Sequence, residues 1–127
     1  MLTDGQVAEF HRNGFLNGGR ILDEDSEQEL KDELDRILAI GPEGFPEGTP
    51  RPVLFHNMVS TRDPEKCVWQ IVNIWEVSSA YERLMRHPFI VDAISQLTGA
   101  DELMVWHDQI QYKPAGHGGV TGWHQDA

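Results

Sequence analysis

The interpretation of this chain depends mainly on the stretch WHDQIQYKPAGHGGVTGWHQDA, residues 106–127. Leu103 to Lys113 has the composition of a strand, and Pro114 to Gly122 has that of a glycine-rich loop. Side chains alternate along an extended strand, so every second residue from Leu103 to Lys113 lies on one face. That face becomes polar towards its end, at His107, Gln109, Gln111 and Lys113. A solvated surface and the polar wall of a pocket explain such a face equally well.

The tetrapeptide Trp123 to Asp126 carries a candidate pair of metal ligands. In extended structure His124 and Asp126 point the same way, with Cα atoms roughly 7 Å apart, so both can hold one cation. On a helix the pair would diverge, and the glycine-rich loop before it disfavours a helix. An imidazole and a carboxylate are two of the three ligands of the facial triad, which leaves open positions on iron(II). The short motif His-x-Asp arises readily by chance, so its surroundings must support the assignment.

Those surroundings resemble the phytanoyl-CoA dioxygenase family. In that family a strand ending in a Lys-Pro pair leads through a variable glycine-rich loop into Trp-His-x-Asp. Lys113-Pro114, Gly116 to Gly122 and Trp123 to Asp126 follow the same order here. The opening LTDGQVAEFHRNGFL, residues 2–16, is also similar to the N-termini of the family, whereas residues 41–66 match nothing in its pattern.

The resemblance implies a non-haem, iron(II)- and 2-oxoglutarate-dependent dioxygenase that uses O₂ to hydroxylate a small organic substrate and releases succinate. His124 and Asp126 look like the first two iron ligands and the catalytic centre. Gln109 matches a strand position that contacts 2-oxoglutarate, and Asn73 or Trp75 lies near a polar position on an earlier strand with the same role. A carboxylate at Asp126 favours hydroxylation over halogenation, since related halogenases carry a small residue there.

The fold that the resemblance implies is α+β, with N-terminal helices packed on a double-stranded β-helix, or jelly roll. Residues 1–127 are then expected to form a single partial domain that contains only the first strands of the jelly roll. Residues 1–100 make its helix-rich region, and residues 101–127 begin the jelly-roll core with the metal motif. The distal histidine ligand and the arginine that pairs with 2-oxoglutarate are expected beyond Ala127, and the chain alone is expected to be inactive.

Other histidines are weaker candidates for the third ligand. His107 belongs to the predicted strand and His117 to the loop, so neither is favoured. The remaining histidines have no carboxylate at ligand spacing and receive no function: His11, His56 and His87. A different class of function stays open, namely a non-catalytic metal-binding or interaction domain derived from the same family.

Local signals predict where the helices begin and end. Three capping boxes are expected to start helices, at Thr3 with Gln6, Ser26 with Glu29, and Ser79 with Glu82. A fourth helix is predicted to begin at Pro88 and to end at Thr98-Gly99. Between them, Gly41 to Pro52 is predicted to be a mobile loop because it is rich in proline and glycine. Val68 to Glu76 is predicted to be a strand because it is rich in β-branched and aromatic residues.

Composition narrows the possible partners. Ten basic and 21 acidic residues give a net charge of −11, which repels nucleic acid and anionic lipid surfaces. The single cysteine, Cys67, excludes an intrachain disulfide and is expected to be a buried thiol. No apolar stretch has the length of a membrane span, and the N-terminus does not resemble a signal peptide. We therefore expect a soluble, cytoplasmic protein that acts on a small molecule.

Overall fold

The computed structural model describes residues 1–59, 67–116 and 122–125. The helices of this part of the chain are α1 (Asp4–Asn13), α2 (Glu24–Ile40), α3 (Ser79–Met85) and α4 (Pro88–Thr98). Its strands are β1 (Leu54–Asn57), β2 (Trp69–Val72) and β3 (Gln109–Tyr112), and a short 3-10 helix spans Ile74–Glu76. The predicted α+β class is confirmed. None of the described helices is both long and apolar enough to cross a membrane.

The three strands form one antiparallel sheet in the order β1-β2-β3, so β2 lies in the centre. Alternate residues of the strands pack against the helices, including Phe55, Ile71 and Ile110. Ile71 is fully buried together with Ile37 of α2 and Ile74 of the 3-10 helix, each with 0% exposure. The core therefore lies between one face of the sheet and α2, and the other face points away from it.

The first helix begins, and the last helix begins and ends, where the sequence predicts. The capping box of α1 is confirmed, since Thr3 Oγ1 accepts the Gln6 N–H at 3.3 Å and Gln6 Oε1 accepts the Thr3 N–H at 2.9 Å. Helix α4 begins at Pro88 and is followed by Gly99 in the left-handed conformation, with a φ of 70°. These boundaries rest on interactions between residues close in sequence, which is why they are predictable.

The capping boxes predicted for the two middle helices are wrong. Helix α2 begins at Glu24, because the carboxylate of Asp23 accepts the Ser26 N–H at 2.8 Å. Aspartate caps a helix as well as serine does, and it stands three residues earlier. Helix α3 does begin at Ser79, but the N-cap residue is Ser78, and its side chain makes no capping hydrogen bond.

The predicted strand from Val68 to Glu76 is wrong beyond Val72. Asn73 adopts the left-handed conformation, with φ 59° and ψ 49°, and the chain then enters the 3-10 helix. Asparagine tolerates this conformation better than most residues, and its N–H donates to the Asp108 carbonyl at 3.1 Å. The pairing of β2 with β3 therefore ends at Val72 and Gln109.

Strand β3 is correspondingly shorter than the predicted segment from Leu103 to Lys113. Residues 103–107 are exposed and form no strand, because β2 turns away before it reaches them. In contrast, β1 lies in a region for which no strand was predicted. Two of the three strands precede residue 101, so the sheet draws on both regions of the domain.

The loop between α2 and β1 contains no helix or strand across residues 41–52, in agreement with the prediction of a loop. Nevertheless, Phe45 packs against the core cluster. Gly44 passes so close to the end of α2 that a Cβ atom there would lie 2.0 Å from the Ile40 carbonyl oxygen. Glycine at this position thus lets the loop fold back onto the core.

Arg36 pairs with Glu33 on α2 and also connects this helix to the turn that follows the 3-10 helix. Arg36 Nε and one terminal nitrogen donate to the two carboxylate oxygens of Glu33 at 2.8 and 2.9 Å, and Arg36 also donates to the Val77 carbonyl at 3.0 Å. The Arg36 guanidinium lowers the pKa of Glu33 to about 2, with a smaller contribution from the nearby Ser78 hydroxyl. Ser78 Oγ makes no hydrogen bond of sound geometry to a described residue, so we assign the lowered pKa mainly to Arg36.

We expect Glu33 to contribute to the pH dependence of stability. Because its pKa in the folded state lies below the ordinary value of 4.5, its contribution is present above pH 4.5 and is lost as the pH falls towards 2. The variant Glu33→Gln should lose less stability over this interval than the wild type, by roughly 1 kcal/mol, since the pair is partly exposed. Urea unfolding at several pH values measures the free energy of unfolding of both proteins. An equal loss of this free energy between pH 4.5 and pH 2 in the two proteins would contradict the prediction.

Candidate functional site

We call the face of the sheet that points away from the helices the open face. Strand pairing places two side chains from each strand on it: Leu54, His56, Gln70, Val72, Gln109 and Gln111. Residues directly opposite each other in antiparallel strands project to the same side, which is why these residues share one face. Gln109 and Gln111 are both exposed, and the predicted alternation of this strand is therefore confirmed over residues 109–112.

Gln109 is held by a neighbour on the same face. Gln70 Nε2 donates to Gln109 Oε1 at 2.8 Å, which is a hydrogen bond between the central strand and β3. The amide of Gln109 thus uses its oxygen within the sheet, and its NH₂ group remains the part that can donate to a ligand. A carboxylate or carbonyl oxygen is the complementary ligand group.

The strands themselves carry no formal charge. The sequences of the three strands are LFHN, WQIV and QIQY, without a lysine, arginine, aspartate or glutamate. At the 24% of charged residues found in the whole chain, about three would be expected among these positions. Within the strands the open face is thus polar through histidine and glutamine, and Lys113 follows β3 directly.

Asn73 lies at the end of β2, beside the start of β3. Its backbone N–H reaches the Asp108 carbonyl, so the structure brings Asn73 and Gln109 to the same end of the sheet. Its side-chain Nδ2 donates to Glu76 Oε1 at 2.9 Å, whereas Asn73 Oδ1 is buried and makes no hydrogen bond to a described residue. The side chain is thus half engaged in the turn.

Trp75 is directed elsewhere. It lines a cleft of about 480 Å³ between α2, the following loop and the start of α3, together with Arg36, Phe45 and Glu82. Its indole Nε1 is buried without a hydrogen bond to a described residue. The structure therefore separates Trp75 from the open face, and of the two predicted positions on the earlier strand Asn73 lies nearer to Gln109.

Asp108 is a half-buried residue at the junction of these elements, and the sequence did not single it out. Burial raises the pKa of Asp108, while the nearby backbone N–H groups of Ile74, Trp75 and Asn73 oppose this rise. Its Oδ1 atom is buried without a hydrogen bond to a described residue. The carboxyl thus lies against the first N–H groups of the 3-10 helix and supports the turn that carries Asn73 and Trp75.

His124 lies in the segment 122–125, which forms neither helix nor strand, so the extended strand predicted for it is not formed by these residues. The imidazole is exposed, and its Nδ1 lies 2.9 Å from the Gly122 carbonyl oxygen. Because a carbonyl only accepts, Nδ1 carries the proton, and in the neutral ring Nε2 carries the lone pair. Metal-binding histidines are commonly oriented by this kind of backbone contact.

The predicted partner of His124 and one alternative ligand lie outside the described residues. These are Asp126 and His117. His107, the other alternative, is exposed next to Trp106, with ring centroids 6.5 Å apart. Across residues 1–59, 67–116 and 122–125, no group of three or more histidine, cysteine, aspartate or glutamate side chains is arranged to hold a metal ion. The thiol of Cys67 is buried, as predicted.

Sequence reasoning missed two residues of the open face, His56 and Gln70. Gln70 had a usable signal, because it alternates with Trp69 and Ile71 in a strand that was predicted. His56 had a weaker one, since LFHN follows a proline-rich loop and is only four residues long.

Comparison with known protein families, with curated proteins and with solved structures finds no match for this chain.

Proposed function

We propose that this protein is an iron(II)- and 2-oxoglutarate-dependent dioxygenase of the phytanoyl-CoA dioxygenase family, which hydroxylates a small organic substrate within a jelly-roll fold. Its main support is the run from β3 through Lys113-Pro114 to Trp123 and His124, in which a strand with Gln109 on the open face leads to the metal motif. The N-terminal helices and the three antiparallel strands of the described residues are compatible with this fold.

The chemistry of the available donors fits iron(II). His124 offers Nε2, because Nδ1 donates to the Gly122 carbonyl, and Asp126 adds a carboxylate two residues later. Mixed nitrogen and oxygen ligation of this kind leaves coordination positions for exchangeable ligands. When bound there, iron(II) would provide the redox chemistry that uses dioxygen and 2-oxoglutarate. The protein's own part is to orient the imidazole and to present the carboxylate.

The sequence explains the polar face of β3 equally well as a pocket wall or as a solvated surface. The side chains of the open face favour the pocket wall. Gln70 fixes the amide of Gln109, so its NH₂ group is positioned to donate to an oxygen of 2-oxoglutarate. The described strands contain no charged residue, which favours a surface that a ligand covers, because charged groups are costly to bury.

Turnover of 2-oxoglutarate tests the proposal directly. We expect the full-length protein loaded with iron(II) to convert 2-oxoglutarate to succinate, slowly even without the prime substrate. A chelator should abolish succinate formation, and added iron(II) should restore it, whereas magnesium should not. Folded, iron-loaded protein that forms no succinate would refute the assignment.

One observation favours the alternative, a non-catalytic metal-binding or interaction domain. Large apolar side chains are exposed both before β3, with 95% for Met104 and 90% for Trp106, and in the motif itself, with 107% for Trp123. An exposed apolar group of this size is typical of surfaces that contact another chain. The same experiment separates the two functions, because this alternative predicts iron binding without succinate.

A further inference from the structure

The cleft beside Trp75 is built by three parts of the chain: the end of α2, the loop that follows it, and the turn from the 3-10 helix into α3. Its volume of about 480 Å³ lies within the range of small-molecule sites, about 300–1,000 Å³. None of its lining residues belongs to the open face or to the Trp-His-x-Asp motif. The apolar part of the lining consists of Ile40, Phe45, Pro50, Trp75 and Val77.

The charged groups of this cleft leave one carboxylate without an ionic partner. The charged residues of the lining are Arg36, Glu76 and Glu82. Arg36 is paired with Glu33 at 2.8 and 2.9 Å, and the pKa of about 2 keeps Glu33 ionised at neutral pH, so this pair carries no net charge. Glu82 is paired with Arg86 at 3.3 Å. Glu76 accepts a hydrogen bond from a neutral amide but forms no ion pair with a described residue.

The charges around the cleft do not reverse this balance. The loop that carries Phe45 and Pro50 also carries two glutamates and one arginine, Glu43, Glu47 and Arg51. The whole chain has a net charge of −11. The field at the cleft therefore attracts cations and repels anions.

Trp75 presents its ring to the cleft rather than its N–H group. The residue is partly exposed, whereas its Nε1 atom is buried. The hydroxyl of Ser78, another lining residue, is buried as well, so neither of these donors is accessible to a ligand. The faces of tryptophan and phenylalanine rings attract cations. The accessible groups thus fit a positively charged head and an apolar body.

We propose that this cleft binds an organic amine in its cationic form, with the ammonium group at Glu76 and the Trp75 ring and with an apolar body against Phe45 and Ile40. The ammonium group donates charge-assisted hydrogen bonds to the carboxylate. The apolar body removes the surfaces of Phe45 and Ile40 from water. This site goes beyond the proposed function and does not depend on it, because it uses no residue of the iron motif or of the open face.

A matched set of phenyl probes tests this on the full-length protein without iron. 2-Phenylethylammonium is a cation, 3-phenylpropanoate is an anion, and 3-phenylpropanamide is neutral. We expect the cation to shift the NMR signals of the Trp75 indole in a saturable way, and the anion to bind at least about tenfold more weakly. Added sodium chloride should weaken binding of the cation more than binding of the amide, because salt screens the charges.

Substitutions locate the ammonium group. Glu76→Gln removes the charge but keeps an oxygen that can accept the hydrogen bond from Asn73. It should weaken binding of the cation about threefold to tenfold and leave binding of the amide unchanged. Glu24→Gln is the matched control, since it changes the net charge equally at a side chain that is 89% exposed at the start of α2. It should leave both probes unaffected.

Three results would overturn the inference: the cation does not shift the Trp75 signals, the anion binds at least as tightly as the cation, or Glu76→Gln binds the cation as the wild type does. None of these measurements requires iron or 2-oxoglutarate. Absent succinate formation would therefore refute the proposed function and leave this binding site standing.

Discussion

If the proposed function is right, full-length protein with His124 replaced by alanine is expected to lose the iron-dependent turnover of 2-oxoglutarate, by at least about a hundredfold. The imidazole is the only histidine of the Trp-His-x-Asp motif, and its Nδ1 lies 2.9 Å from the Gly122 carbonyl oxygen. In the proposed site, removal of one of three protein ligands would leave iron held by two, which would lower both its affinity and its control over the open positions. Succinate formation and the iron content of the purified variant are the two measurements.

Two further variants sharpen this prediction. His11→Ala removes an exposed histidine of α1 and should retain both iron and turnover. Asp126→Ala removes the carboxylate of the motif, and it should lose turnover as His124→Ala does. If His124→Ala keeps wild-type turnover and iron content, the metal assignment is wrong, whatever the second variant does.

The second large effect concerns the core of the sheet. Ile71→Ala is expected to lower the free energy of unfolding by about 2–5 kcal/mol, because it leaves a cavity in a close-packed interior. Ile71 has 0% exposure and packs in the centre of β2 with Ile37 and Ile74. A loss of this size corresponds to a fall of about 8–20 °C in Tm, which thermal unfolding followed by circular dichroism measures.

Ile94→Ala is the matched control, since it makes the same substitution on α4 at a side chain that is 43% exposed. Its loss of stability should stay within about 0.5 kcal/mol, because little apolar surface is uncovered and alanine favours the helix. Equal losses for the two variants would show that Ile71 is not the centre of the core. The comparison also tests whether α2 and the sheet form one cooperative unit.

Helix boundaries show how far local sequence signals reach. The capping box of Thr3 and Gln6 and the proline at the start of α4 depend on contacts within three or four residues, and both predictions are confirmed. The box predicted at Ser26 is wrong for an equally local reason, namely that Asp23 is a competing cap. When two residues close together are both good N-caps, the sequence does not show which of them caps the helix.

The candidate site divides in the same way. His124 and Asp126 stay predictions, recognised from the order of motifs along the chain, whereas the orientation of the His124 ring needed the position of the Gly122 carbonyl. The alternation that places Gln109 and Gln111 together is a property of any strand and was confirmed. Which face of that strand is covered depended on α2, which lies far away in the sequence.

What the sequence by itself determined is therefore the two end helices and the polar alternation of β3, because each follows from residues close together in the chain. The α+β class was an expectation from the family resemblance, and the structure confirms it. Only the tertiary structure decided where β2 ends, that LFHN forms β1, and that His56 and Gln70 join Gln109 on the open face. Asn73 ends β2 by adopting the left-handed conformation, and its N–H still donates to the carbonyl of Asp108, 35 residues later in the numbering. A strand exists only where a partner supplies hydrogen bonds, and that partner is set by packing between distant segments.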